Sequence, residues 1–246
     1  MHGEATSLSF VLPVWNEEEG IRHAVEVVGA AAATLEDRGL LLRSEVVVVD
    51  DGSTDRTPAL LEELEVVEPR LRVVRHEVNG GLGAALRTGF GSAANEWIFY
   101  MDADLPVDPL VSERLLRVAL LQSADIVACY RLSRSTEGVR REVLSSGYNA
   151  AVRLVTGLRV RDVNFAAKLV RRSAVVDRLP VSDSLFFDAE LLARAIRGGA
   201  MVQQVGVDYF PRTVGTSTLS SARSILDTAR DLIRIGPTVR VRRADG

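Results

Sequence analysis

Strand-like and helix-like segments alternate regularly through the first half of this 246-residue chain, and this alternation limits the possible folds. The strand-like runs are LSFVL (8–12), EVVVVD (45–50), LRVVR (71–75), EWIFYMD (96–102) and ADIVACY (124–130), and the helix-like patterns cover 17–38, 55–66, 82–94 and 108–122. Such alternation favours parallel strand pairing and an open sheet covered by helices. We therefore predict an α/β fold with a mostly parallel, twisted sheet and helices on both faces.

The second half of the chain is less regular. Its pattern predicts helices over 142–156, 187–198 and 219–235, and strands within VNFAAKLVRR and AMVQQVGVDYF. The last helix is amphipathic and precedes the basic tail RVRRADG. Without internal repeats or a clear linker, residues 1–246 are interpreted as one domain.

Composition excludes several classes of protein. The net charge of −3 gives no general attraction to nucleic acid, so no nucleic-acid partner is expected. No run of about 18 apolar residues is present and the N-terminus lacks the pattern of a signal peptide, so we predict a cytoplasmic protein without a membrane span. The single cysteine, Cys129, lies in the apolar run DIVACYR and is expected to be an inert core thiol.

Polar residues gather where the predicted strands end. The strand-ending segments are PVWNEEE, DDGSTD, HEVNGGLG and DADLP. In open parallel sheets, ligands bind outside the carboxyl ends of the strands. The sequence therefore predicts a binding site at this edge.

The DADLP segment places Asp102 and Asp104 directly after an apolar strand. Two carboxylates at a strand end can share Mg²⁺ or Mn²⁺, which would bridge to the phosphates of a ligand. The alternative is two solvated acids at a strand-to-loop junction.

A second acidic pair, Asp50 and Asp51, ends the second strand. Gly52 permits a tight turn there, and Ser53 or Asp55 can cap the next helix. One cap would need only one acid, so a carboxylate here could accept hydrogen bonds from a nucleobase or ribose. The glycines of NGGLGAALRTG follow the third strand, which is not where a dinucleotide-binding fingerprint belongs. They indicate a helix start after a turn, or close approach of a phosphate or sugar.

Arginines accompany these acids along the chain. Arg131 follows the fifth strand, Arg140 and Arg141 open a helix, and Arg212 lies in YFPRTVGTST. Guanidinium groups suit phosphate oxygens, although each could also be a solvated surface charge. The three histidines fall in no constellation with a nucleophile, so Ser-His-Asp and Cys-His chemistry finds no support in the sequence.

Several separated motifs resemble family 2 glycosyltransferases, in particular the dolichol- or polyprenol-phosphate mannosyl- and glucosyltransferases. In order, they are PVWNEEEGI, EVVVVDDGSTDRT, NGGLGAALRTGF, WIFYMDADLPVDP, ADIVACYR and PRTVGTS, spanning about residues 8–218. The resemblance implies a GT-A fold with an Asp-x-Asp metal motif. It divides the domain into a nucleotide-binding half (about 8–130) and an acceptor-binding half (about 131–218).

The resemblance also implies site residues in the nucleotide-binding half. Pro13, Trp15 and Glu17 match the nucleotide contacts of the family's first strand. Val49 and Asp51 match those of the second strand.

The metal and diphosphate contacts carry over in the same way. Asp102, Ala103 and Asp104 match the metal–diphosphate motif, so Mg²⁺ or Mn²⁺ is the implied cofactor and Asp102 and Asp104 its ligands. Arg212 matches an arginine that clamps the donor phosphates and assists the leaving group. Asp104, Arg131 and Arg212 are the implied catalytic residues.

On the acceptor side, Arg131 takes the place of an arginine near the transferred sugar and the acceptor phosphate. Arg141 and Ser145 match residues that approach the lipid phosphate. A phosphate acceptor is already anionic and needs no strong base, because its second pKa is about 6. A hydroxyl acceptor would need a base, for which Asp188 and Glu190 in FFDAEL are candidates unless they are simply exposed helix positions.

Four departures from the family pattern concern the site. Trp15 replaces the usual tyrosine, Pro106 follows the acids where a polar residue is common, and Thr218 stands where lysine is usual. The segment DVNFAAK keeps Asp162 and Lys168 but lacks the family's glycine. These changes concern donor and acceptor subtype more than fold.

The predicted activity is inverting, metal-dependent transfer of a hexose from a nucleotide diphosphate-sugar of the GDP-mannose or UDP-glucose type to a polyprenyl or dolichyl phosphate. The alternatives are the same fold acting on a soluble hydroxyl acceptor and a non-catalytic nucleotide-sugar-binding module. The apolar stripe of the 219–235 helix packs on the core in one interpretation and rests on anionic lipid in the other, which would give peripheral membrane contact.

Overall fold

The computed structural model contains a seven-stranded sheet and eight α-helices within the residues it describes, 6–132, 139–210 and 222–241. Side chains are described throughout these ranges except at 139–144 and 222–223. The strands are β1 Thr6–Val14, β2 Leu41–Asp50, β3 Leu71–Arg75, β4 Trp97–Met101, β5 Ile126–Arg131, β6 Ala167–Arg171 and β7 Val202–Val207. The helices are α1 Ile21–Asp37, α2 Thr57–Val67, α3 Leu82–Ser92, α4 Val111–Leu121, α5 Val139–Thr156, α6 Arg172–Val175, α7 Phe187–Arg197 and α8 Ala222–Arg234.

The sheet is parallel except for one strand. Its order is β3-β2-β1-β4-β6-β5-β7, and β6 runs antiparallel to both β4 and β5. The predicted mostly parallel α/β sheet is therefore confirmed. Strands from both predicted halves belong to this one sheet, while the division into a nucleotide half and an acceptor half stays a prediction.

Strands β1 and β2 pack on both sides against apolar cores, which explains their nearly unbroken apolar runs. In β1, Phe10 and Leu12 join one core cluster and Val11 joins the other. In β2, Val46 and Val48 face the first cluster, whereas Val47 and Val49 face the second.

Helices cover both faces of the sheet. The first cluster includes residues of α1, α2 and α4, and the second includes residues of α3, α5, α7 and α8. Cys129 is fully buried within the first cluster, and burial raises the pKa of its thiol to about 12. The predicted core position of this thiol is confirmed.

Helix α8 presents apolar side chains to solvent. Leu232 is buried, but Ile225, Leu226 and Ile233 are 49%, 69% and 75% exposed. One of the two interpretations was that the apolar side chains of this helix pack on the core. That interpretation is therefore wrong for most of them. Among the described residues, no helix is both long enough and apolar enough to cross a bilayer.

Candidate functional site

The strand ends that the sequence singled out meet at one edge of the sheet. Pro13 of β1 is the register partner of Val49 in β2, and Val14 is the partner of Asp50. Beyond them, Asp51 N–H donates to the Val14 carbonyl over 2.8 Å. Parallel pairing thus brings the first two predicted nucleotide contacts side by side, since parallel strands end at the same edge.

The loops after β1 and β2 are joined by polar contacts. Asn16, which has a left-handed φ of 53°, donates its N–H to the Ser53 hydroxyl over 2.9 Å and accepts from Thr54 N–H over 2.8 Å. Glu17 N–H donates to the Thr57 hydroxyl over 2.9 Å. Ser53 therefore braces the first loop rather than capping α2, and the predicted site residues Trp15 and Glu17 lie on this braced segment.

Asp50 and Asp51 each serve a structural purpose. Asp50 Oδ1 accepts the N–H of Ser53 over 2.9 Å and closes the turn at Gly52, whose φ is +70°. Asp51 is 3% exposed and accepts the N–H groups of Gly80 and Gly81 over 2.9 and 2.8 Å. The two adjacent acids thus hold two different loops.

His76 completes the cluster around Asp51. Its Nδ1 lies 2.6 Å from Asp51 Oδ1, and its Nε2 lies 2.9 Å from the Thr88 hydroxyl of α3. A hollow of about 360 Å³, lined by Arg75, His76 and Glu77, opens at the end of β3. The histidine thus joins β3 to α3 beside this hollow.

The glycines after β3 permit a close approach of two backbone segments. Gly81, with φ +92°, precedes α3, and Gly83 N–H donates to the Asp183 carbonyl over 3.0 Å. A Cβ on Gly83 would lie 2.2 Å from the Ser182 carbonyl oxygen. The sequence allowed two roles for these glycines, a helix start after a turn and close approach of a phosphate or sugar. The structure shows the first role.

The predicted metal motif forms a turn directly after β4. Asp102 and Asp104 are partly exposed while Ala103 is buried, and Leu105 N–H donates to the Asp102 carbonyl over 3.2 Å. Leu105 adopts a left-handed φ of 52°. The turn thus lies at the edge where the strands end, with Asp102 and Asp104 partly exposed and Ala103 packed into the first core cluster.

The segment after β7 is tied to this turn. Phe210 N–H donates to the Pro106 carbonyl over 3.0 Å, which puts the backbone two residues before Arg212 against the Asp-x-Asp turn. Arg212 itself and Thr218 lie outside the described residues.

Arg131 is held firmly at the end of β5. Its Nε and Nη2 donate to the Asp162 carboxylate over 2.8 and 3.3 Å, and the two side chains are only 10% and 2% exposed. The guanidinium also lies 5.7 Å from the Phe165 ring centre and 5.5 Å from that of Tyr209. A bidentate ion pair between two aromatic rings fixes the orientation of the guanidinium.

A second buried cation lies below the edge. Lys168 of β6 is fully buried, and its Nζ donates to the Phe165 carbonyl over 2.7 Å and to Asp188 Oδ1 over 3.0 Å. Tyr100 of β4 donates its hydroxyl to the same Asp188 oxygen.

Burial changes the acidity of both ionisable groups in this pair. It lowers the pKa of Lys168 to about 7, an effect that the nearby Asp162 and Asp102 carboxylates oppose. Burial raises the pKa of Asp188 well above its usual range. Both shifts arise because removal of water disfavours the charged forms.

Glu190 is also enclosed. It is fully buried, accepts the N–H groups of Val181 and Ser182 over 3.1 and 2.9 Å, and accepts from Arg194 Nε over 2.6 Å. Asp188 and Glu190 therefore occupy interior positions on α7, not the exposed helix positions that the sequence also allowed.

The remaining predicted residues are dispersed or only partly described. Trp15 is 37% exposed at the edge, and Ser145 is half-buried on α5, where its carbonyl accepts from Asn149. The side chain of Arg141 lies outside the described residues, although its backbone belongs to α5.

Sequence reasoning missed three contributors to this edge, namely His76, Tyr100 and Tyr209. Each lies at or directly beyond the end of a strand, β3, β4 and β7 respectively. Their position at a strand end was thus the only signal in the sequence that could have indicated these residues, and many other residues share that position.

Comparison with known proteins defines the family. The family model described as "Glycosyl transferase family 2" matches residues 9–179, more than half of the chain. The chain belongs to glycosyl transferase family 2. The predicted family is confirmed, and with it, at the level of the family, the prediction of a glycosyltransferase.

Curated relatives of this family 2 chain share about a third of its residues. Glycosyltransferase AglD of Haloferax volcanii is 31% identical over 92% of the chain, and the polyprenol monophosphomannose synthase of Mycolicibacterium smegmatis is 30% identical over 91%. A dodecaprenyl-phosphate galacturonate synthase of Rhizobium johnstonii is 30% identical over 70%. The chain spans 36% of the length of AglD, 50% of the galacturonate synthase and 90% of the mannose synthase.

Solved structures agree on the fold. Glucosyl-3-phosphoglycerate synthase of Mycobacterium tuberculosis superposes with a TM-score of 0.67 at 26% identity, covering 94% of this chain and 80% of that one. A structure of the same enzyme with Mn²⁺, UDP-glucose and glycerol 3-phosphate gives a TM-score of 0.66 at 26% identity, covering the same shares of the two chains. The prediction of a GT-A glycosyltransferase fold is confirmed.

Proposed function

We propose that this family 2 glycosyltransferase moves a hexose from a nucleotide diphosphate-sugar to a polyprenyl phosphate, with inversion at the anomeric carbon. One observation carries the proposal. The Tyr209 ring centre lies 5.5 Å from the Arg131 guanidinium, and the next residue, Phe210, donates its N–H to the Pro106 carbonyl, so the segment after β7 contacts both the Arg131–Asp162 pair and the backbone that follows the Asp-x-Asp turn. Carboxylates suited to a metal thus lie beside a fixed guanidinium suited to phosphate.

The donor nucleotide is assigned to the ends of β1 and β2. Pro13, Trp15, Glu17, Val49 and Asp51 are the proposed contacts. The paired strand ends and the exposed Trp15 ring support this placement. The Asp51 carboxylate already accepts the N–H groups of the glycine turn. It would therefore hold this turn and contact the nucleobase at the same time.

The Asp-x-Asp turn fits Mg²⁺ or Mn²⁺ by the chemistry of its donors. Carboxylate oxygens are the ligands that these hard cations prefer. In the part of the chain that the structure describes, no three acidic, histidine or cysteine groups gather as a complete site. We assign Asp102 and Asp104 as the residues that would hold the cation. A bound cation would supply Lewis-acid stabilisation of the leaving diphosphate.

On the donor side, Ala103 would pack beneath the diphosphate, and Arg212 would neutralise its charge. Support for Arg212 comes from the Phe210–Pro106 hydrogen bond, which ties the preceding backbone to the turn.

The acceptor end is assigned to Arg131, Arg141 and Ser145. A phosphate acceptor attacks as an anion and needs no strong base. Asp188 and Glu190, the candidate bases for a hydroxyl acceptor, are both buried and already bonded to neighbouring groups. Their enclosure supports a phosphate acceptor over a hydroxyl acceptor.

The names of the relatives support a polyprenyl phosphate as the acceptor. Their names include a polyprenol monophosphomannose synthase and a dodecaprenyl-phosphate galacturonate synthase, both of which concern polyprenyl phosphates. The structural neighbour glucosyl-3-phosphoglycerate synthase was crystallised with phosphoglyceric acid. Phosphoglyceric acid is a soluble molecule that carries a hydroxyl group, so a soluble hydroxyl acceptor is the second candidate, and product analysis with both acceptors separates the two.

Thermal unfolding measured with GDP or UDP, each with and without Mn²⁺, tests the donor site. We expect one nucleotide to raise the melting temperature by several degrees only when Mn²⁺ is present, because a ligand that binds only the folded state stabilises it by mass action. GDP would indicate a mannose-type donor and UDP a glucose-type donor. No shift with either would contradict the catalytic proposal and favour a binding module that has lost its donor.

We further propose that α8 rests on an anionic lipid surface and brings the site to the acceptor. Exposed Ile225, Leu226 and Ile233 supply the apolar contact, and exposed Arg230 and Arg234 supply the charge. We expect the triple variant Ile225→Glu/Leu226→Glu/Ile233→Glu to bind phosphatidylglycerol vesicles roughly tenfold more weakly than the wild type, measured by co-sedimentation.

The matched control for α8 is Val66→Glu/Val67→Glu on α2, where two apolar side chains are 85% and 71% exposed. This control should leave vesicle binding unchanged. Equal binding by the wild type and the α8 variant would exclude the helix from membrane contact.

A further inference from the structure

We propose that Lys168 is a positioning residue that holds the 162–166 loop, the segment preceding β6, and through it the Arg131 guanidinium. The proposal rests on the proposed function in one respect, the acceptor-side role of Arg131. It adds to the reaction a residue that touches neither the donor nor the acceptor positions assigned above.

Lys168 is unusual in this chain. It is the only lysine among 30 basic residues, and it is fully buried. Its register partner in β4 is Tyr100, whose ring centre lies 5.3 Å from Nζ. A compact ammonium fits this enclosed space, whereas the larger planar guanidinium of arginine has a different shape and hydrogen-bond geometry.

The first contact of Lys168 reaches the 162–166 loop. Nζ donates to the Phe165 carbonyl over 2.7 Å, and Phe165 N–H in turn donates to the Asp162 carbonyl over 3.3 Å. The Phe165 ring contacts the Arg131 guanidinium and packs against Tyr209 with ring centres 6.0 Å apart. Moving the Phe165 backbone would therefore disturb both the ion-pair partner and the aromatic neighbour of Arg131.

The second contact fixes the lysine itself. Asp188 lies 3.0 Å from Nζ and also accepts the Tyr100 hydroxyl, so the ammonium is anchored from β4 and α7. A buried ion pair is often no more stable than apolar residues of the same volume. Stability alone therefore does not explain the Lys168–Asp188 pair. The hydrogen bond from Lys168 to the Phe165 carbonyl does, because it holds the 162–166 loop.

Fluorine NMR of protein labelled with 3-fluorotyrosine tests this role without relying on activity. The chain has four tyrosines, and Tyr209 reports on the 162–166 loop while Tyr100 reports on the lysine. The variants are Lys168→Met and Lys168→Met/Asp188→Leu, with Asp188→Asn as a matched control that keeps an acceptor for the lysine. Comparison with Tyr209→Phe assigns the resonance.

We expect the Tyr209 resonance to shift in both lysine variants and to stay in place in Asp188→Asn. The double variant should keep its melting temperature, because it removes both members of the pair. Its kcat should fall by about tenfold to a hundredfold, since small displacements of a catalytic group are costly, while the nucleotide-dependent thermal shift is retained.

Three results would overturn the proposal. They are an unmoved Tyr209 resonance in the double variant, wild-type kcat in that variant, or its failure to fold, each of which would leave Lys168 a purely structural role. Absence of sugar transfer by the wild type would instead refute the proposed function, and the Tyr209 resonance would still decide whether Lys168 positions the loop.

Discussion

The Asp104→Asn variant is expected to lose sugar transfer by a factor of about 10² to 10³ in kcat, because removal of one group that stabilises developing charge typically costs that much. The amide keeps the shape of the side chain but removes the negative charge that a divalent cation requires. The measurement is product formation with the donor and acceptor proposed above, over a range of Mn²⁺ concentrations. Asp102→Asn should behave in the same way.

The matched control is Asp37→Asn at the end of α1, an exposed acid far along the chain from the turn. It should retain full activity. The two site variants should also lose the Mn²⁺-dependent part of the nucleotide thermal shift while their own melting temperatures stay near that of the wild type. Full activity in Asp104→Asn would remove this carboxylate from the metal site and from catalysis.

Arg131→Lys is expected to have the second largest effect, a fall in kcat of about a hundredfold. Lysine keeps the positive charge but cannot donate to both Asp162 oxygens, as Arg131 does over 2.8 and 3.3 Å, while lying between Phe165 and Tyr209. Steady-state kinetics with a polyprenyl phosphate should show a lower kcat and a higher KM for the acceptor. The thermal shift produced by the donor nucleotide should remain.

Arg161→Lys provides the control for this substitution. Arg161 also lies over an aromatic ring, 4.8 Å from the centre of Tyr130, but it is exposed. A loss of activity equal to that of Arg131→Lys would mean that the ion pair with Asp162 is not what matters. Retention of activity in Arg161→Lys together with loss in Arg131→Lys would support the acceptor-side role.

The sequence predicted the strands of the first half closely because their apolar runs are local signals. The run EVVVVD, for example, lies within β2, and its alternate valines face the two cores. The order of the motifs predicted the family for a similar reason, since each motif is a short run of neighbouring residues. The Asp-x-Asp turn after β4 was found in the same way.

Other features depend on partners far along the chain. The antiparallel insertion of β6 between β4 and β5 joins residues about 70 positions apart, and no local pattern records it. The enclosure of Asp188 depends on Tyr100, and that of Glu190 on backbone groups at 181–182. A helical pattern shows which residues share a face but not what covers that face.

The amino-acid sequence by itself determined the α/β class, the strand ends where the candidate site lies and the paired acids of the Asp-x-Asp turn. These follow from hydrophobic periodicity and turn residues, which act over a few positions. The tertiary structure alone decided that Asp51 holds the glycine turn, that Arg131 is clamped by Asp162, and that α8 leaves its apolar stripe exposed. Those outcomes depend on which distant groups meet after folding, because burial and charge pairing are properties of the packed chain.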